Sequence, residues 1–561
     1  MSMSKRDIVS FDELKRIFYK IDGKSYKNYK VLGKIIIAFN GIKAYFTKIQ
    51  SDPHAPPSII EILVTGKAHG FPKEALRENL VPFTDYLARV LYTSTLRYRR
   101  KCGTGYSCYI GIPKPSPRIL RRSCVDVDKD NLIIRLFVGL PARGRRINGE
   151  QAFILVGKNI PRIIEEIISL SGDFEKINEH ITLYKDQEYL RKWLYENDYI
   201  FFIGEDSILP RESNLSERPL KSAIPFKAPD TLKVAIKLPS GKKITGMAVK
   251  KGLIVITGGG YHGKTTLLEA IQDGIYNHIL GDGREYVVSR KYTILVKAED
   301  GRIASNVDIS SFISKLPLGV DTKRYSSLDS SGSTSMAASI NEAIEAGAEV
   351  LLIDEDTSAT NLLYKDDLMK RIIVREPIKP LCYQARDLIE KTGTSIVVVS
   401  SASAAFLNIA DKIILMDNYI PVDITSKVKE LIRKENSDFI EYSLPKRRLF
   451  CGIKNLRKIK ARGYKIYAKY IDGQEFELDL SYNPRIVEKG QVKLIAHIIK
   501  KLSKLKKPMY VKDMVKLIDN LLIKDGFSAF VNPVPPDLTI VDGFDVVWTL
   551  NRFYKAVFIQ D

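Results

Sequence analysis

The sequence predicts an α/β core with an α+β region on either side of it, and three observations lead to this fold class. Between residues 252 and 275 a short apolar strand runs into a glycine-rich loop and then into an amphipathic helix. Strands and helices alternate from there to about residue 425, a pattern typical of a three-layer domain. The segments before and after the core mix helical and strand-like periodicity, so we expect each of them to be α+β.

The chain has 561 residues, which is too many for one ordinary hydrophobic core. We predict an N-terminal domain over 1–205, a connector rich in proline, serine and charge over 206–225, the α/β core over 226–430 and a basic C-terminal domain over 431–561. Within the first domain, periodicity predicts a helix over Phe11–Ile21 and strands over Ser58–Val64 and Tyr199–Gly204.

The charge of the chain is strongly unbalanced. It carries 88 lysines and arginines against 66 aspartates and glutamates, a formal net charge of +22. An excess of this size predicts a polyanionic partner, and nucleic acid is the commonest one. A lysine-rich surface of a heat-tolerant protein is the other interpretation, but such surfaces gain charges of both signs. The imbalance therefore favours nucleic acid.

The cysteines and the apolar segments bear on the compartment. Five cysteines without a CxxC pair predict reduced, mostly buried thiols rather than a disulfide scaffold or a zinc ribbon. No stretch reaches about 18 consecutive apolar residues, and the first residues lack an apolar signal core. We therefore expect a cytoplasmic protein that works away from membranes. The cysteines are Cys102, Cys108, Cys124, Cys382 and Cys451.

The glycine-rich loop matches the pattern GxxxxGK[ST] and stands between a strand, GLIVIT, and a helix, TLLEAIQDGI. In this context the pattern predicts a cradle for the phosphates of ATP. Backbone amides and the helix N-terminus hold the anion, Lys264 reaches the β- and γ-phosphates, and the Thr265 hydroxyl is the expected Mg²⁺ ligand. The predicted ATP-binding residues are Gly258, Gly259, Gly260, Tyr261, His262, Gly263, Lys264, Thr265 and Thr266.

A second buried strand, Val350–Ile353, is followed directly by two acidic residues. Asp354 is predicted to help Thr265 hold Mg²⁺. Glu355 is placed to polarise the attacking water, as a general base must be. Taken alone this is an ordinary acidic strand end, but the phosphate loop upstream favours a hydrolytic site. We therefore predict an ATPase that forms ADP and phosphate, with Glu355 and Lys264 as its catalytic residues.

A cluster of small hydroxyl residues, SSGSTS, stands about 20 residues before Asp354 and opens a predicted helix, Ala337–Ala346. By itself the cluster is typical of a turn with a helix N-cap. Its position just upstream of the acidic strand is the layout of ABC-type ATPases, in which such a cluster completes the phosphate site of the opposing subunit. The predicted residues of this signature are Ser331, Gly332, Ser333 and Thr334.

These segments together resemble a family of non-transporter ABC-class ATPases. The resemblance covers most of the chain and rests on GGGYHGKTTLLEAI, KAEDGRIASNVDISSFISKLPLG, SSGSTSMAASINEAIE and LLIDEDTSATN, together with QSDPHAPPS, GTGYSCYIGIP and VGLPARGRRINGEQA before the core. It implies an ABC-type nucleotide-binding domain between N- and C-terminal domains, and a homodimer with ATP between the subunits. It also implies that Ser358–Asn361 crosses the dimer interface. Some members of the family are associated with nucleic acid.

The sequence departs from ordinary ABC domains at two positions. The strand after the acidic pair ends in Ser400–Ser401, where a switch histidine is usual. The position of the usual glutamine loop is expected near GDGREYVV, which has no glutamine, and Arg284 or Glu285 is the expected substitute. The missing histidine is consistent with slow turnover. It also leaves open an alternative function, a nucleotide-gated protein-interaction module with little or no hydrolysis.

Three basic clusters are the candidate contacts to RNA or DNA, and the third interleaves aromatic with basic residues, as sequence-tolerant binding surfaces do. No base-reading motif accompanies them, so we expect contacts mainly to phosphates. The candidate residues are Arg97, Arg99 and Arg100, then Arg143, Arg145 and Arg146, and finally Lys446, Arg447, Arg448, Arg457, Lys458, Lys460 and Arg462.

Overall fold

The computed structural model describes residues 6–213, 215–373, 375–432 and 439–561. The chain forms two compact units. The first comprises Met1–Thr182 and Phe527–Ile540, and the second comprises Leu183–Gly526 and Val541–Asp561. No helix among the described residues is long and apolar enough to cross a membrane.

The first unit is built on a mainly antiparallel sheet. Its central strand pair, Ser58–Val64 with Asn131–Val138, is hydrogen-bonded over seven residue pairs. The predicted helix Phe11–Ile21 is confirmed; Ser10 and Glu13 cap it reciprocally, and Leu14 and Phe18 are fully buried. The strands, in spatial order, are Asp7–Val9, Ile35–Phe39, Ile42–Lys48, Ser58–Val64, Asn131–Val138 and Ile110–Gly111. Val125–Asp128 also pairs with Asn131–Val138. Ala142–Arg143 and Arg146–Ile147 form a separate hairpin.

The helices of the first unit pack on this sheet. Leu80–Tyr98, the longest described helix that lies wholly within this unit, buries Phe83, Leu87 and Leu91 in the core. The others are Phe11–Ile21, Gly66–His69, Lys73–Arg77, Gly149–Phe153, Ile160–Ser169 and the first part of Glu175–Glu196, with a 3₁₀ segment over Tyr26–Lys34 and a π-helical turn over Ile154–Asn159.

The second unit contains the predicted α/β core. Its main sheet has five parallel strands and one antiparallel edge strand. The parallel strands are mostly buried, as a sheet covered on both faces requires, and the edge strand is partly exposed. The order of strands across the sheet is Thr293–Val296, Val350–Asp354, Ser395–Val399, Leu253–Gly258, Lys412–Asp417 and Ile420–Asp423. The helices of this domain include Lys264–Asp273, Gly332–Ala346, Thr360–Leu363, Asp367–Ile372, Leu381–Thr392 and Thr425–Leu431.

Smaller sheets surround this core. A four-stranded antiparallel sheet has the order Lys233–Lys237, Lys243–Lys250, Tyr199–Gly204 and Val287–Ser289. Two hairpins pair Arg211–Ser213 with Ser216–Pro219 and Arg302–Val307 with Tyr325–Ser330. The C-terminal strands form two three-stranded sheets, Met509–Tyr510, Arg448–Ile453 and Ala556–Gln560, and Leu456–Arg462, Lys465–Tyr470 and Glu475–Asp479. The C-terminal helices are Lys489–Leu502, Val511–Asp525 and Gly543–Leu550, and 3₁₀ turns cover Asp230–Leu232, Pro317–Gly319, Glu355–Thr357, Leu407–Ile409 and Gly526–Ala529.

The two units divide the chain differently from the four segments expected from the sequence. Tyr199–Gly204, expected in the N-terminal domain, is a central strand of the second unit, because it pairs with Lys243–Lys250 and Val287–Ser289. The C-terminal segment packs on the α/β core: Ser305 Oγ donates to the Ala556 carbonyl oxygen at 3.1 Å. The domain boundaries at residues 205, 225 and 430 stay predictions.

Candidate nucleotide-binding and catalytic site

The predicted phosphate loop lies between the strand Leu253–Gly258 and the helix Lys264–Asp273. Gly258 and Gly263 have φ angles of +138° and +90°, which side chains strongly disfavour. A Cβ at Gly258 would also collide with the Met416 carbonyl oxygen. The two glycines therefore fix the tight loop that turns successive backbone amides towards one point, the arrangement an anion requires.

Lys264 lies inside this loop. Its ammonium donates to the carbonyl oxygens of Gly258 at 2.9 Å and Gly259 at 2.6 Å, and the side chain is buried. The first turn of the helix begins at the same residue, so its unpaired amides and the lysine charge are directed to the same small volume. The loop thus has the donors and the positive charge that a polyphosphate needs.

Thr265 and Asp354 are brought together from separate elements. The Thr265 hydroxyl donates to Asp354 Oδ2 at 3.0 Å, and Asp354 ends the strand Val350–Asp354 with its side chain buried. A hydroxyl oxygen and a carboxylate oxygen beside a phosphate loop are ligands that Mg²⁺ accepts. The pair predicted from the sequence to hold Mg²⁺ therefore has the right donors at contact distance.

Glu355, the predicted general base, is held by four donors. Tyr364 OH donates to Oε1 at 2.6 Å, while the Ser401 amide, the Ala402 amide and the Ser400 hydroxyl donate to Oε2 at 2.8, 3.3 and 3.2 Å. Burial acts to raise the pKa of Glu355, but these hydrogen bonds outweigh it and lower the pKa below the ordinary value. The carboxylate is consequently ionised at neutral pH and fixed in one orientation.

Tyr364 was not identified from the sequence. It follows Glu355 by nine residues, after the short helix Thr360–Leu363, and its hydrogen bond to the glutamate raises its own pKa to about 12. No motif marks this tyrosine, because its contact depends on how that helix packs back on the acidic strand. The contacts of Ser400 and Ser401 were not predicted either. These residues stand where a switch histidine is usual, and both donate hydrogen bonds to the Glu355 carboxylate.

The predicted signature begins the helix Gly332–Ala346, with Ser331 as its N-cap residue. The hydroxyls of Ser331 and Thr334 are hydrogen-bonded at 3.0 Å. Ser333 Oγ donates to Asn361 Oδ1 at 2.9 Å, which links the signature to the loop after the acidic strand within one chain. The structure thus joins two segments that the resemblance assigns to the dimer interface, while the assignment itself stays a prediction.

Arg284 is wrong as the expected substitute for the glutamine loop, while the position of that loop near GDGREYVV stays a prediction. The strand adjacent and parallel to Val350–Asp354 is Thr293–Val296, so the segment that leaves the sheet beside the acidic pair is Lys297–Arg302. The Ala298 amide donates to the Thr357 carbonyl oxygen at 3.0 Å. Arg284 is instead buried beside Asp273 and the Leu209 carbonyl oxygen, where it supports the fold.

Two of the three basic clusters meet on one loop of the first unit. The loop 102–108 packs on the hairpin of Arg143 and Arg146: the Thr104 amide donates to the Ala142 carbonyl oxygen at 2.9 Å, and the Gly144 amide donates to Thr104 Oγ1 at 2.9 Å. Arg100 and Arg143 are exposed beside this loop. The separate sequence clusters therefore form one basic surface.

Individual members of this surface differ in their contacts. Arg97 pairs with Glu166 at 3.2 Å, Arg145 pairs with Asp52 at 3.5 Å, and Arg146 donates to the Gly23 carbonyl oxygen at 3.2 Å. Arg99 is half-buried, donates to the Ile110 carbonyl oxygen at 3.0 Å and lies over the Tyr109 ring. Arg99 therefore supports the loop, and the other arginines supply its exposed charge.

The prediction that all five thiols are reduced is wrong for Cys102 and Cys108, which form a disulfide. The sequence between them, GTGYS, folds back on itself and brings the two Cα atoms to 5.6 Å. Side chains at Gly103 or Gly105 would collide with the carbonyl oxygens of Ala142 and Pro53, so the loop is held closely against two neighbouring segments. Cys124 and Cys382 are buried, as predicted.

The third cluster is divided between core and surface. Arg448 is 1% exposed; its guanidinium pairs with Glu345 at 2.7 Å and reaches Asn551. It is therefore a core residue, and its prediction as a nucleic-acid contact is wrong. Lys446 and Arg447 are exposed. Four further residues lie exposed along the edge strand Leu456–Arg462, namely Arg457, Lys458, Lys460 and Arg462.

Comparison with known proteins accounts for most of the chain. A family model for the P-loop domain of ABC ATPases matches residues 173–447, and a model for the N-terminal domain of ATPases of the ABC class matches residues 11–171. An uncharacterized protein of Methanocaldococcus jannaschii, MJ1628, is 33% identical over 298 residues, a match that covers 49% of this chain and 65% of that relative. The two models and the geometry of the phosphate loop agree, and the chain belongs to the ABC class of P-loop ATPases.

Proposed function

We propose that this chain hydrolyses ATP and binds nucleic acid, largely without regard to sequence, as a homodimer clamped by ATP. The observation that carries the proposal is the edge of the main sheet where Lys264, Thr265 with Asp354, and an oriented Glu355 carboxylate meet. These are the groups that positioning a triphosphate and activating a water require.

The chemistry assigned to each side chain follows from its contacts. Lys264 exchanges the carbonyl oxygens of the loop for the β- and γ-phosphate oxygens of ATP. Mg²⁺, held by Thr265 and Asp354, would supply charge neutralisation on the phosphates. Glu355 accepts the proton of the attacking water, and the water adds to the γ-phosphorus as the bond to ADP breaks.

The four hydrogen bonds to Glu355 have a kinetic consequence. A carboxylate with a lowered pKa is a weaker base, and two of its donors belong to the segment that usually supplies a switch histidine. We therefore expect slow turnover. The signature residues Ser331 and Ser333 are then the groups that a second copy of the chain brings to the γ-phosphate, and hydrolysis releases the clamp.

The nucleic-acid part of the proposal is supported by the net charge of +22 and by the basic surface of the first unit. The exposed arginines there flank a rigid loop with the half-exposed ring of Tyr106, so phosphate contacts and base stacking are available side by side. Base-specific recognition is not required for such a surface.

The hydrolytic part is tested with Glu355→Gln. We expect turnover to fall by about 10²–10⁴-fold, the usual contribution of a general base, while ATP binding persists and an ATP-bound dimer accumulates. Turnover is measured as phosphate release and dimerisation by light scattering. Asp356→Asn is the matched control, because Asp356 is the adjacent, exposed carboxylate. Wild-type turnover in Glu355→Gln would rule out the base assignment.

The nucleic-acid part is tested by equilibrium binding and ATPase activity with RNA and with DNA at two salt concentrations. Binding that is dominated by phosphate contacts weakens steeply as salt rises. Absent or salt-insensitive binding would refute this half of the proposal.

A nucleotide-gated protein-interaction module is the second candidate. The observation that favours it is the saturated hydrogen bonding of Glu355, which leaves the carboxylate less basic than a free one. Under this alternative, ATP still closes the dimer, but Glu355→Gln and the unchanged protein show equally negligible phosphate release.

A further inference from the structure

A hollow of about 480 Å³ lies within the second unit. Residues 297–303 form one wall, and the edge strand Glu475–Asp479 with the turn after it forms another. Trp548 and Arg552 complete the lining. The residues of the phosphate loop, 258–265, do not line this hollow, so it is separate from the place where the phosphates of ATP are proposed to bind.

The wall of residues 297–303 is held in a fixed shape by its backbone. The Glu299 amide donates to Ser335 Oγ at 2.9 Å, and the Gly301 amide donates to the Ser330 carbonyl oxygen at 2.8 Å. The wall is therefore formed before any ligand arrives, as is usual for the sites of small molecules.

Aromatic rings supply flat apolar surface to the hollow. Tyr482 is 80% exposed, and Phe476 is half-buried on the edge strand. Trp548 is buried, and the Arg552 guanidinium lies 3.8 Å from the centroid of its ring. Such a lining offers contact to one ring system of a ligand, with Tyr482 as the most accessible member.

Most charges of the lining are already matched. Arg552 donates to Glu299 Oε2 at 2.9 Å, and the buried Arg302 pairs with Glu342 behind the wall. On the edge strand, Glu477 pairs with Lys465. These groups fix the shape of the hollow rather than wait for a ligand.

Other polar side chains of the lining have no partner in the part of the chain that the structure describes. Lys297 and Asp300 form no ion pair and no side-chain hydrogen bond there. Asn483 is 6% exposed; its Oδ1 accepts from the Arg485 amide at 3.0 Å, but its Nδ2 has no hydrogen-bond partner. A buried donor without a partner is costly, so the hollow suits a ligand that supplies an acceptor.

We propose that this hollow binds a free aromatic α-amino acid. The carboxylate of the ligand accepts from Lys297 and Asn483, its ammonium group donates to Asp300, and its ring packs on Tyr482 and Phe476. One lysine and one amide match a single negative charge, and the unpaired carboxylate matches a single positive charge. The proposal goes beyond the proposed function, because no step of it involves a nucleotide.

A phosphate ester is the competing ligand, and the charge of the hollow disfavours it. The lining contains four carboxylates against three cations, and two of these cations are buried in ion pairs. A doubly charged phosphate would be repelled there, whereas an ammonium group is attracted. The carboxylates are those of Glu299, Asp300, Glu477 and Asp479, and the cations are Lys297, Arg302 and Arg552.

The test is calorimetric titration of the full chain with L-tryptophan, tryptamine and indole-3-propionate. The three compounds share the indole ring, but tryptamine lacks the carboxylate and indole-3-propionate lacks the ammonium group. The unchanged protein should bind tryptophan with a Kd of about 1 mM or tighter. Each of the other two should bind about tenfold more weakly, because one charge-assisted contact is lost.

Variants assign each lost contact to a side chain. Lys297→Met should bind tryptophan about tenfold more weakly and lose most of the preference over tryptamine, while Asp300→Asn should lose the preference over indole-3-propionate. Tyr482→Ala should weaken all three compounds by about fivefold, because the ring contact is lost. Lys315→Met and Tyr189→Ala change exposed residues outside the hollow and should bind like the unchanged protein.

A measurement on the unchanged protein avoids any folding defect of a variant. Amide hydrogen exchange in residues 297–303 should slow with tryptophan and not with alanine at the same concentration, because alanine has the same charged groups without the ring. Equal affinity for the three indole compounds, displacement of tryptophan by equimolar adenosine monophosphate, or unchanged tryptophan affinity in both Lys297→Met and Asp300→Asn would overturn the proposal. ATP hydrolysis plays no part in these measurements, so this proposal and the proposed function can fail separately.

Discussion

The basic residues of the C-terminal segment fall into two groups that the sequence alone does not separate. Arg448 is buried among Glu342, Glu345 and Asn551, with every charge matched by a partner. Arg457, Lys458, Lys460 and Arg462 lie exposed along an edge strand a few residues later. The difference shows that one basic cluster in a sequence contains both buried residues that stabilise the fold and exposed residues that do not. Only the exposed half is a candidate to bind a polyanion.

The cross-strand register explains why the edge strand stays basic. Lys458 lies opposite Lys469, and Arg462 lies opposite Lys465, so like charges face each other on one side of the sheet. On the next strand Glu475 and Glu477 neutralise Lys469 and Lys465. The charges of the outer strand are therefore the ones that remain to attract an anion.

The largest expected effect is a loss of stability when the buried residue, Arg448, is replaced. Arg448→Met removes the cation that faces Glu342 and Glu345. Glu342 keeps its pair with Arg302, but the buried carboxylate of Glu345 loses its cation. We expect a loss of about 3–5 kcal/mol in the free energy of unfolding, measured by denaturant titration. The control is Arg447→Met, which removes an exposed charge paired with Asp561 and should change stability by less than about 0.5 kcal/mol. Equal losses in the two variants would contradict the division.

A smaller effect is expected on the pH dependence of stability, and it comes from another buried ion pair, that of Glu299 with Arg552. Burial acts to raise the pKa of Glu299, but the paired Arg552 outweighs it and lowers the pKa to about 2. A group with a lowered pKa in the folded state stabilises the fold above its ordinary pKa of about 4.5, and this contribution is lost as the pH falls from there towards 2.

Glu299→Gln should therefore flatten the fall in stability between about pH 5 and pH 2, as measured by thermal unfolding at several pH values. The exposed Glu441, paired with Lys391, offers a control: Glu441→Gln should leave the profile unchanged. If Glu299→Gln leaves the profile as steep as before, the carboxylate is not part of the pH dependence.

On the exposed side, the double variant Arg457→Ala/Lys460→Ala should leave the free energy of unfolding within about 0.5 kcal/mol of the unchanged value. If the edge strand binds phosphates, affinity for nucleic acid falls, and the slope of log K against log salt decreases by about one for each phosphate that is no longer neutralised. Unchanged affinity and slope would restrict nucleic-acid binding to other surfaces.

The smallest single effect is expected from Arg143→Ala in the first unit. Arg143 is exposed beside the disulfide loop and makes no ion pair among the described residues. Its removal should lower the salt slope by about one and weaken binding of all sequences to the same degree. Lys176→Ala, an exposed lysine outside the three clusters, serves as the control. A preference for particular sequences that appears or disappears with Arg143 would contradict a phosphate contact.

The parts of the site that the sequence predicts are those set by local geometry. The strand, the two glycines at Gly258 and Gly263, Lys264 and the acidic pair follow one another with fixed spacing, so pattern and structure coincide. Tyr364 lies outside any motif, because it reaches the site through the packing of a short helix. Such contacts depend on the whole fold and leave no periodicity to detect.

The fold class was predictable for the same reason, since alternation of strand and helix is a local signal with a global outcome. The position of Lys297–Arg302 beside the acidic strand was not predictable, because it depends on which strand neighbours Val350–Asp354 in the sheet. The burial of Arg448 and the disulfide of Cys102 were missed on similar grounds. The partners of Arg448 are distant from it in the sequence, and the pairing of Cys102 with Cys108 depends on a turn that no sequence motif predicts.

The disulfide of the first unit has a consequence for how the loop responds to reductants. Six positions separate Cys102 from Cys108, and the close approach of the loop glycines to Ala142 and Pro53 acts to hold the loop in place when the bond is open. The two thiols then face each other at a high effective concentration. When an external disulfide oxidises one of them to a mixed disulfide, the other thiolate attacks it intramolecularly, closes the loop and releases the external thiol. A brief exposure to a reductant is therefore reversed once a disulfide oxidant is restored, whereas alkylation or replacement of either cysteine keeps the loop open.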